Sequence, residues 1–110
     1  MANQDVEEGK GIAIISYLSI VGTIIAYFLN KDKKNSFASF HIRQALGLWI
    51  MFPLLGFITS YFDSWFATFG FYLFFGVLFI YGFINAIGGK EQEVPLVGAF
   101  FQELFASIGN

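Results

Sequence analysis

Residues 11–29 read GIAIISYLSIVGTIIAYFL and carry no charge. At 1.5 Å per residue, a helix of that length extends roughly 28 Å, close to the hydrocarbon thickness of a bilayer. Reading this stretch as one unbroken helix decides the fold, because it makes the number of crossings odd. On its N-terminal side lies a short acidic tail, 1–10, with Asp5, Glu7 and Glu8 ahead of Lys10. That is the reverse of a signal-peptide n-region, so the apolar stretch is expected to remain as an anchor. On its C-terminal side, residues 30–36 (NKDKKNS) form a polar loop with Lys31, Lys33 and Lys34. Residues 37–44 (FASFHIRQ) lead into a second helix, with Asn35 or Ser36 as its N-cap. The second span is expected over 45–62, kinked at Pro53, which a bilayer helix tolerates when neighbours re-satisfy the freed carbonyl. Asp63-Ser64-Trp65 reads as a tight turn, and the third span covers 66–87, ended by Gly88-Gly89.

Composition supports this reading. The 110 residues are 56% hydrophobic, 21% aromatic and 13% charged, with 16 Phe. Ordinary globular chains carry about 25% charged and about 45–50% apolar residues. A water-soluble sphere of this size could not hide so much apolar surface. A net charge of −2 supplies no basic field for a nucleic-acid backbone. The lack of Cys removes disulfides, thiol chemistry and thiol-linked lipid anchors, and a single His cannot build a multi-histidine metal site. No cofactor, metal or nucleic-acid partner is expected. The expected partners are membrane lipids and other membrane-protein subunits, or further copies of the chain.

The C-terminal segment differs in kind. Val97, Phe100, Phe101, Leu104, Phe105 and Ile108 share one face of a helix expected over about 96–108. It is too short to span, so it lies in the membrane interface or docks on the protein's own helices or a partner. It has no Lys or Arg to attract anionic lipid, which favours docking. The fold class is thus an all-α membrane protein of one integral domain, with three transmembrane helices and a short amphipathic helix. With three spans, Lys31, Lys33, Lys34, Arg43 and Lys90 fall on one side and Lys10 alone on the other. The positive-inside rule then sets the C-terminus in the cytoplasm and the N-terminus outside. The expected compartment is a bacterial inner membrane.

Small and polar residues form stripes inside the spans. Ser16, Ser19, Gly22, Thr23, Ala26 and Asn30 fall within an arc of about 120°. Gly56, Thr59, Ser60 and Asp63 share a face, as do Gly82, Asn85, Ala86 and Gly89. Such residues let helix backbones approach and bond across the gap, so helix packing is their first reading. An aqueous path in an oligomer is the sharper alternative. No Asp, Glu, Lys or Arg lies near the middle of a span, where pumps and proton relays usually need one. The best polar cluster is His41, Arg43 and Gln44. His41 and Gln44 are three apart and can face together, whereas Arg43 points elsewhere and is expected to snorkel to headgroups. With Lys33 and Lys34, these residues are the candidate contacts for a partner or for lipid headgroups. No nucleophile has a base within reach, so no catalytic residue is assigned.

The run "AYFLNKDKKNSFASFHIRQAL" (26–46), a helix pair, and then "YGFINAIGGKEQEVPL" (81–96) resemble a family of small bacterial membrane proteins of unknown function. That family is distantly related to the chloroplast inner-envelope protein-import (Tic-type) component. The matching positions are Phe40, His41, Arg43, Gln44, Ala45, Gly89, Glu93, Pro95 and Leu96. The resemblance implies no assigned activity for the bacterial members, and because the chloroplast relatives have four helices, their part in a translocon is not carried over. The small and polar stripes without a catalytic group point to a non-enzymatic scaffold or accessory subunit of a larger, translocon-like membrane complex. An oligomeric pore or holin-like protein is one alternative. Binding of anionic headgroups through the first loop is another.

Overall fold

A computed structural model describes residues 2–108 of the chain. Five helices follow one another: α1 (Ala2–Ser16), α2 (Ile20–Asn30), α3 (Ser36–Thr59), α4 (Trp65–Ile87) and α5 (Gly98–Leu104). The all-helical expectation holds, but two helices rather than three are long and apolar enough to cross a membrane, α3 and α4.

The missing span is the stretch over 11–29. Its helix stops at Ser16 and restarts after Ser19, whose extended backbone and side chain cap the Gly22 N–H. Tyr17 and Leu18 close the reversal through bonds to the Ile14 and Ile15 carbonyls. The Ser16 and Thr23 hydroxyls satisfy backbone carbonyls, Ser16 that of Ala13 and Thr23 those of Ser16 and Ser19. A reversal therefore leaves few polar groups bare, and hydropathy does not register it. Because α1 absorbs residues 2–10, the acidic segment is the first two turns of a helix rather than a tail. The Asn35 side chain donates to the Asp5 carbonyl near the start of α1, while its backbone N–H bonds Asn30 at the end of α2. Both ends of the α1–α2 hairpin thus meet the start of α3, and its tip, Ser19-Ile20, lies beside Trp49–Leu54.

The second and third spans stand close to expectation. Asn35 is the N-cap of α3, accepting from the Ala38 N–H, so the helix includes 36–44 and runs through Pro53 to Thr59. Ser64 caps α4. At the turn between them, Ser60 donates to the Phe57 carbonyl and Thr59 to that of Gly56, closing groups that the helix end leaves open. The paired helices interlock through rings: Trp49 against Phe75 and Phe79, and Phe75, Phe79 and Phe83 stacked at successive turns.

The helix expected over 96–108 is regular only over α5 and ends in turns. Phe101 is buried, and a Cβ at Gly47 would strike its ring, so α5 docks on α3 where that residue has no side chain. Phe100 and Leu104 remain exposed. The preceding turn holds Leu96 in the left-handed region, φ 72°, with the Val97 N–H on the Pro95 carbonyl, a strained three-residue turn.

The molecule is elongated, 50 × 22 × 22 Å. Only 17% of the most apolar stretch of α4 and 39% of that of α3 is buried within the chain. A soluble core helix would be mostly covered. Trp65, Phe66, Phe69, Leu73, Ile80 and Ile84 all face outward. Large exposed apolar faces of this kind mark membrane or protein contacts rather than a surface left to water.

Candidate functional site

The polar residues of the chain gather at the end of the bundle where α3 begins and α4 ends. His41 and Gln44 do face together, and both are fully buried. Tyr17, brought in by the hairpin, joins them. Its hydroxyl lies 2.7 Å from His41 Nδ1 and accepts from Gln44 Nε2 at 2.9 Å. His41 Nε2 lies 2.8 Å from the Lys90 carbonyl, and the Val94 N–H donates to Gln44 Oε1 at 2.8 Å.

Donor and acceptor chemistry orients this chain of bonds. The Lys90 carbonyl can only accept, so Nε2 carries the proton and Nδ1 accepts from the Tyr17 hydroxyl, which leaves the hydroxyl oxygen to take the Gln44 N–H. Every member is satisfied with a neutral imidazole. The network ties three segments together: the hairpin turn, α3 and the 90–94 segment that follows α4. Its neighbour in α4 is Gly82, where an added Cβ would lie 3.0 Å from the Tyr17 ring and 3.1 Å from Gln44 Nε2.

Arg43 does not snorkel. Its Nε donates to the Ile108 carbonyl at 3.0 Å, and its guanidinium reaches Gln102, whose amide in turn bonds the Phe40 carbonyl. It therefore clasps the C-terminal segment onto α3. His41 and Gln44, offered by sequence as headgroup or partner contacts, have no surface and all their polar bonds inside the chain. Of the five candidates, Lys33 and Lys34 are exposed.

The packing stripes are placed unevenly. Gly22, Thr23 and Ala26 are buried in α2, as are Gly82, Asn85 and Ala86 in α4. Ser19 is half-buried at the hairpin tip. At the far end of α3, Thr59 is buried, Gly56 half-buried and Ser60 exposed. The Thr23 hydroxyl is spent on backbone carbonyls, and Asn85 bonds the Tyr81 carbonyl.

Sequence reasoning missed Tyr17, and it read Asn30 only as part of a packing stripe and Asn35 only as a cap. Asn30 bonds both the Asn35 backbone and the Ser39 hydroxyl, pinning the end of α2 to α3. An asparagine at the end of an apolar run, followed five residues later by another before a helix, was the available signal. Tyr17 had none, since a lone Tyr in an apolar stretch reads as any other ring.

Charge is equally one-sided. Asp63 alone is charged at the far turn; the other acidic groups and all six Lys and Arg lie toward the end that holds the network. Lys10, which an odd number of crossings had left on the opposite side, runs alongside Gly89 just past α4. Burial first and the Asp5 carboxylate second push the Glu91 carboxyl above its ordinary range, and Arg43 pulls it back. Residues from α1, α3 and the 88–97 segment thus sense one another. Among the described residues, no group of three or more His, Cys, Asp or Glu is placed to hold a metal ion.

A family model described as the magnetosome magnetite crystal formation protein family (MamF/MmsF) matches residues 8–101. No curated protein and no solved structure matches the chain. The matched region takes in the hairpin, both long helices and the start of α5. The chain belongs to this family of small membrane proteins. Nothing in these matches connects it with the chloroplast import component.

Proposed function

We propose that this chain is a non-enzymatic scaffold or accessory subunit of the magnetosome membrane that takes part in forming magnetite crystals. The observation that carries the reading is the segregation of charge on a two-span bundle whose remaining surface is apolar. With two crossings and a hairpin that turns back, all six basic residues share one side, which the positive-inside rule assigns to the cytoplasm. Both chain ends then lie in the cytoplasm, in place of the outside N-terminus expected from three spans. The turn around Asp63, with Tyr61, Trp65 and Phe66 as its aromatic belt, lies on the opposite side. The family description supplies the compartment and the mineral.

A structural role fits the polar network better than a chemical one. Both nitrogens of His41 are engaged, so the imidazole has no open position from which to act as a base. The small-residue faces pack within the chain, which favours helix packing over an aqueous path. Two measurements test the proposal. Deleting the gene in a magnetite-forming host should change crystal size or number by electron microscopy, with recovery on complementation. Unaltered crystals would refute the role. The cysteine-free chain also allows single labels at Asp5, Asp32, Ser64 and Gln92. Labels at Asp5, Asp32 and Gln92 should react from one side and Ser64 from the other. A label at Asp5 that reacts with Ser64 would restore the odd crossing number and overturn the placement.

A further inference from the structure

Along one seam of the molecule, α2 and α3 part enough to leave a chain of cavities. At the charged end is a polar cavity of about 340 Å³, lined by Lys31, Asp32, Lys34 and Ser107. It shares Tyr27, Ile42 and Ile108 with a second cavity of about 290 Å³, lined further down by Thr23, Ile24 and Leu46. Beyond the hairpin tip, a third cavity continues along α3 past Ile50 and Leu54. On α3 the apolar lining recurs every fourth residue, Ile42, Leu46, Ile50 and Leu54, an inclined stripe that rises about 18 Å. That is close to the depth of one bilayer leaflet, about 15 Å.

We propose that this seam binds one anionic glycerophospholipid, with its phosphate between Lys31 and Lys34 and one acyl chain along Ile24, Ile42 and Leu46. Charge complementarity selects the occupant. The mouth carries two ammonium groups against the single carboxylate of Asp32, while Asp5 and Glu8 line an adjoining cavity that shares Lys34 and also holds Lys33. The walls below the mouth are almost wholly apolar, as an acyl chain requires and a free phosphate does not. The backbone also commits Lys34 to this place. It sits at φ 49°, a left-handed position that Gly or Asn would occupy at lower cost, immediately after the Asn30-anchored turn. The site differs from the headgroup contact read from sequence, because His41 and Arg43 are engaged inside the protein.

The site rests on the bilayer placement proposed above, and the two can fail separately. The full chain, purified in dodecyl maltoside, is titrated with palmitoyl-oleoyl phosphatidylglycerol or its phosphatidylcholine counterpart and weighed by native mass spectrometry. One phosphatidylglycerol per chain should be retained in preference to phosphatidylcholine. Lys31→Gln or Lys34→Gly should lower that preference about fivefold each and together about thirtyfold, at the usual strength of a lysine near an anionic membrane surface. Lys34→Gly also relaxes the backbone, so misfolding cannot imitate the result. Leu46→Trp should abolish retention by filling the groove. Ile24→Trp, at a half-exposed position outside the core, should do the same without touching the fold. Lys33→Gln should change nothing. Equal retention of both lipids, a preference unmoved by the lysine changes, or displacement by millimolar inorganic phosphate would each overturn the site. Failure to float with phosphatidylcholine vesicles would instead overturn the bilayer placement.

Discussion

Removing one oxygen atom tests the central network. Tyr17→Phe keeps the ring among Phe79, Phe83 and His41 but deletes the hydroxyl. Two buried groups lose their partner: His41 Nδ1 and one N–H of Gln44. An orphaned buried polar group costs about 1–3 kcal/mol in soluble proteins. Interhelical hydrogen bonds in a membrane protein average about 0.6 kcal/mol, with a maximum near 1.7, because the unfolded helices find other partners in the bilayer. Tyr17, His41 and Gln44 have no exposed surface, so the orphaned groups cannot turn to lipid headgroups or water. Two bonds near the upper membrane value give a loss of about 2–3 kcal/mol. Unfolding by SDS in mixed micelles, followed by Trp49 fluorescence, reads this directly. Trp49 packs 5.4 Å from Phe79, and Trp65→Phe removes the second of the two tryptophans, an exposed one. In a His41→Leu background Tyr17→Phe should cost about 1 kcal/mol less, since the hydroxyl has already lost its acceptor. A single-variant loss under about 0.5 kcal/mol, or a coupling indistinguishable from zero, would refute the claim that this network fastens the hairpin.

Gly82→Leu should destabilise by about 1–3 kcal/mol in the same unfolding assay, because its side chain would enter space held by Tyr17 and Gln44. Gly47→Val should leave the four other helices intact yet release the C-terminal segment, seen as faster amide exchange over 98–108, since Phe101 cannot keep its seat. Arg43→Gln should loosen the same segment through the lost bond to the Ile108 carbonyl. Glu91 should make stability pH-dependent. Its carboxyl is raised in the folded state, so its contribution is present below the ordinary carboxylate range and is lost as pH rises through the raised value. Glu91→Gln should flatten that part of the pH–stability curve.

The two long helices were legible because their evidence is a sum. Twenty or so apolar residues in α4 each add to transfer free energy, and no single misreading alters the total. Their termini were legible for a local reason: Asn35 and Ser64 are strong capping residues standing directly before apolar runs. The pairing of His41 with Gln44 followed from helical spacing alone. Arg43 was misread because snorkelling assumes that nothing inside the protein competes for a guanidinium. The carbonyl of Ile108, sixty-five residues further on, does compete, and no local pattern announces it.

The error at 11–29 has a different origin. A hydropathy window weighs side chains, and a reversal in hydrocarbon need not change them. It requires only that the backbone groups freed at the turn find partners. Here Ser16, Ser19 and Thr23, which as side chains read as a packing stripe, supply those partners. The same residues fit both structures, so the stripe could not choose between them. Charge could have chosen. An unbroken first span leaves Lys10 on the wrong side of the membrane, beside the start of its own helix, whereas a hairpin returns it to the other five basic residues. A single misplaced lysine is weak evidence against a run of nineteen uncharged residues when each is weighed alone. It becomes decisive once two serines and a threonine are recognised as groups that can close a turn without water. The reading that satisfies both the proposed charge placement and the hydroxyls is the one in which the chain reverses at Tyr17–Ser19.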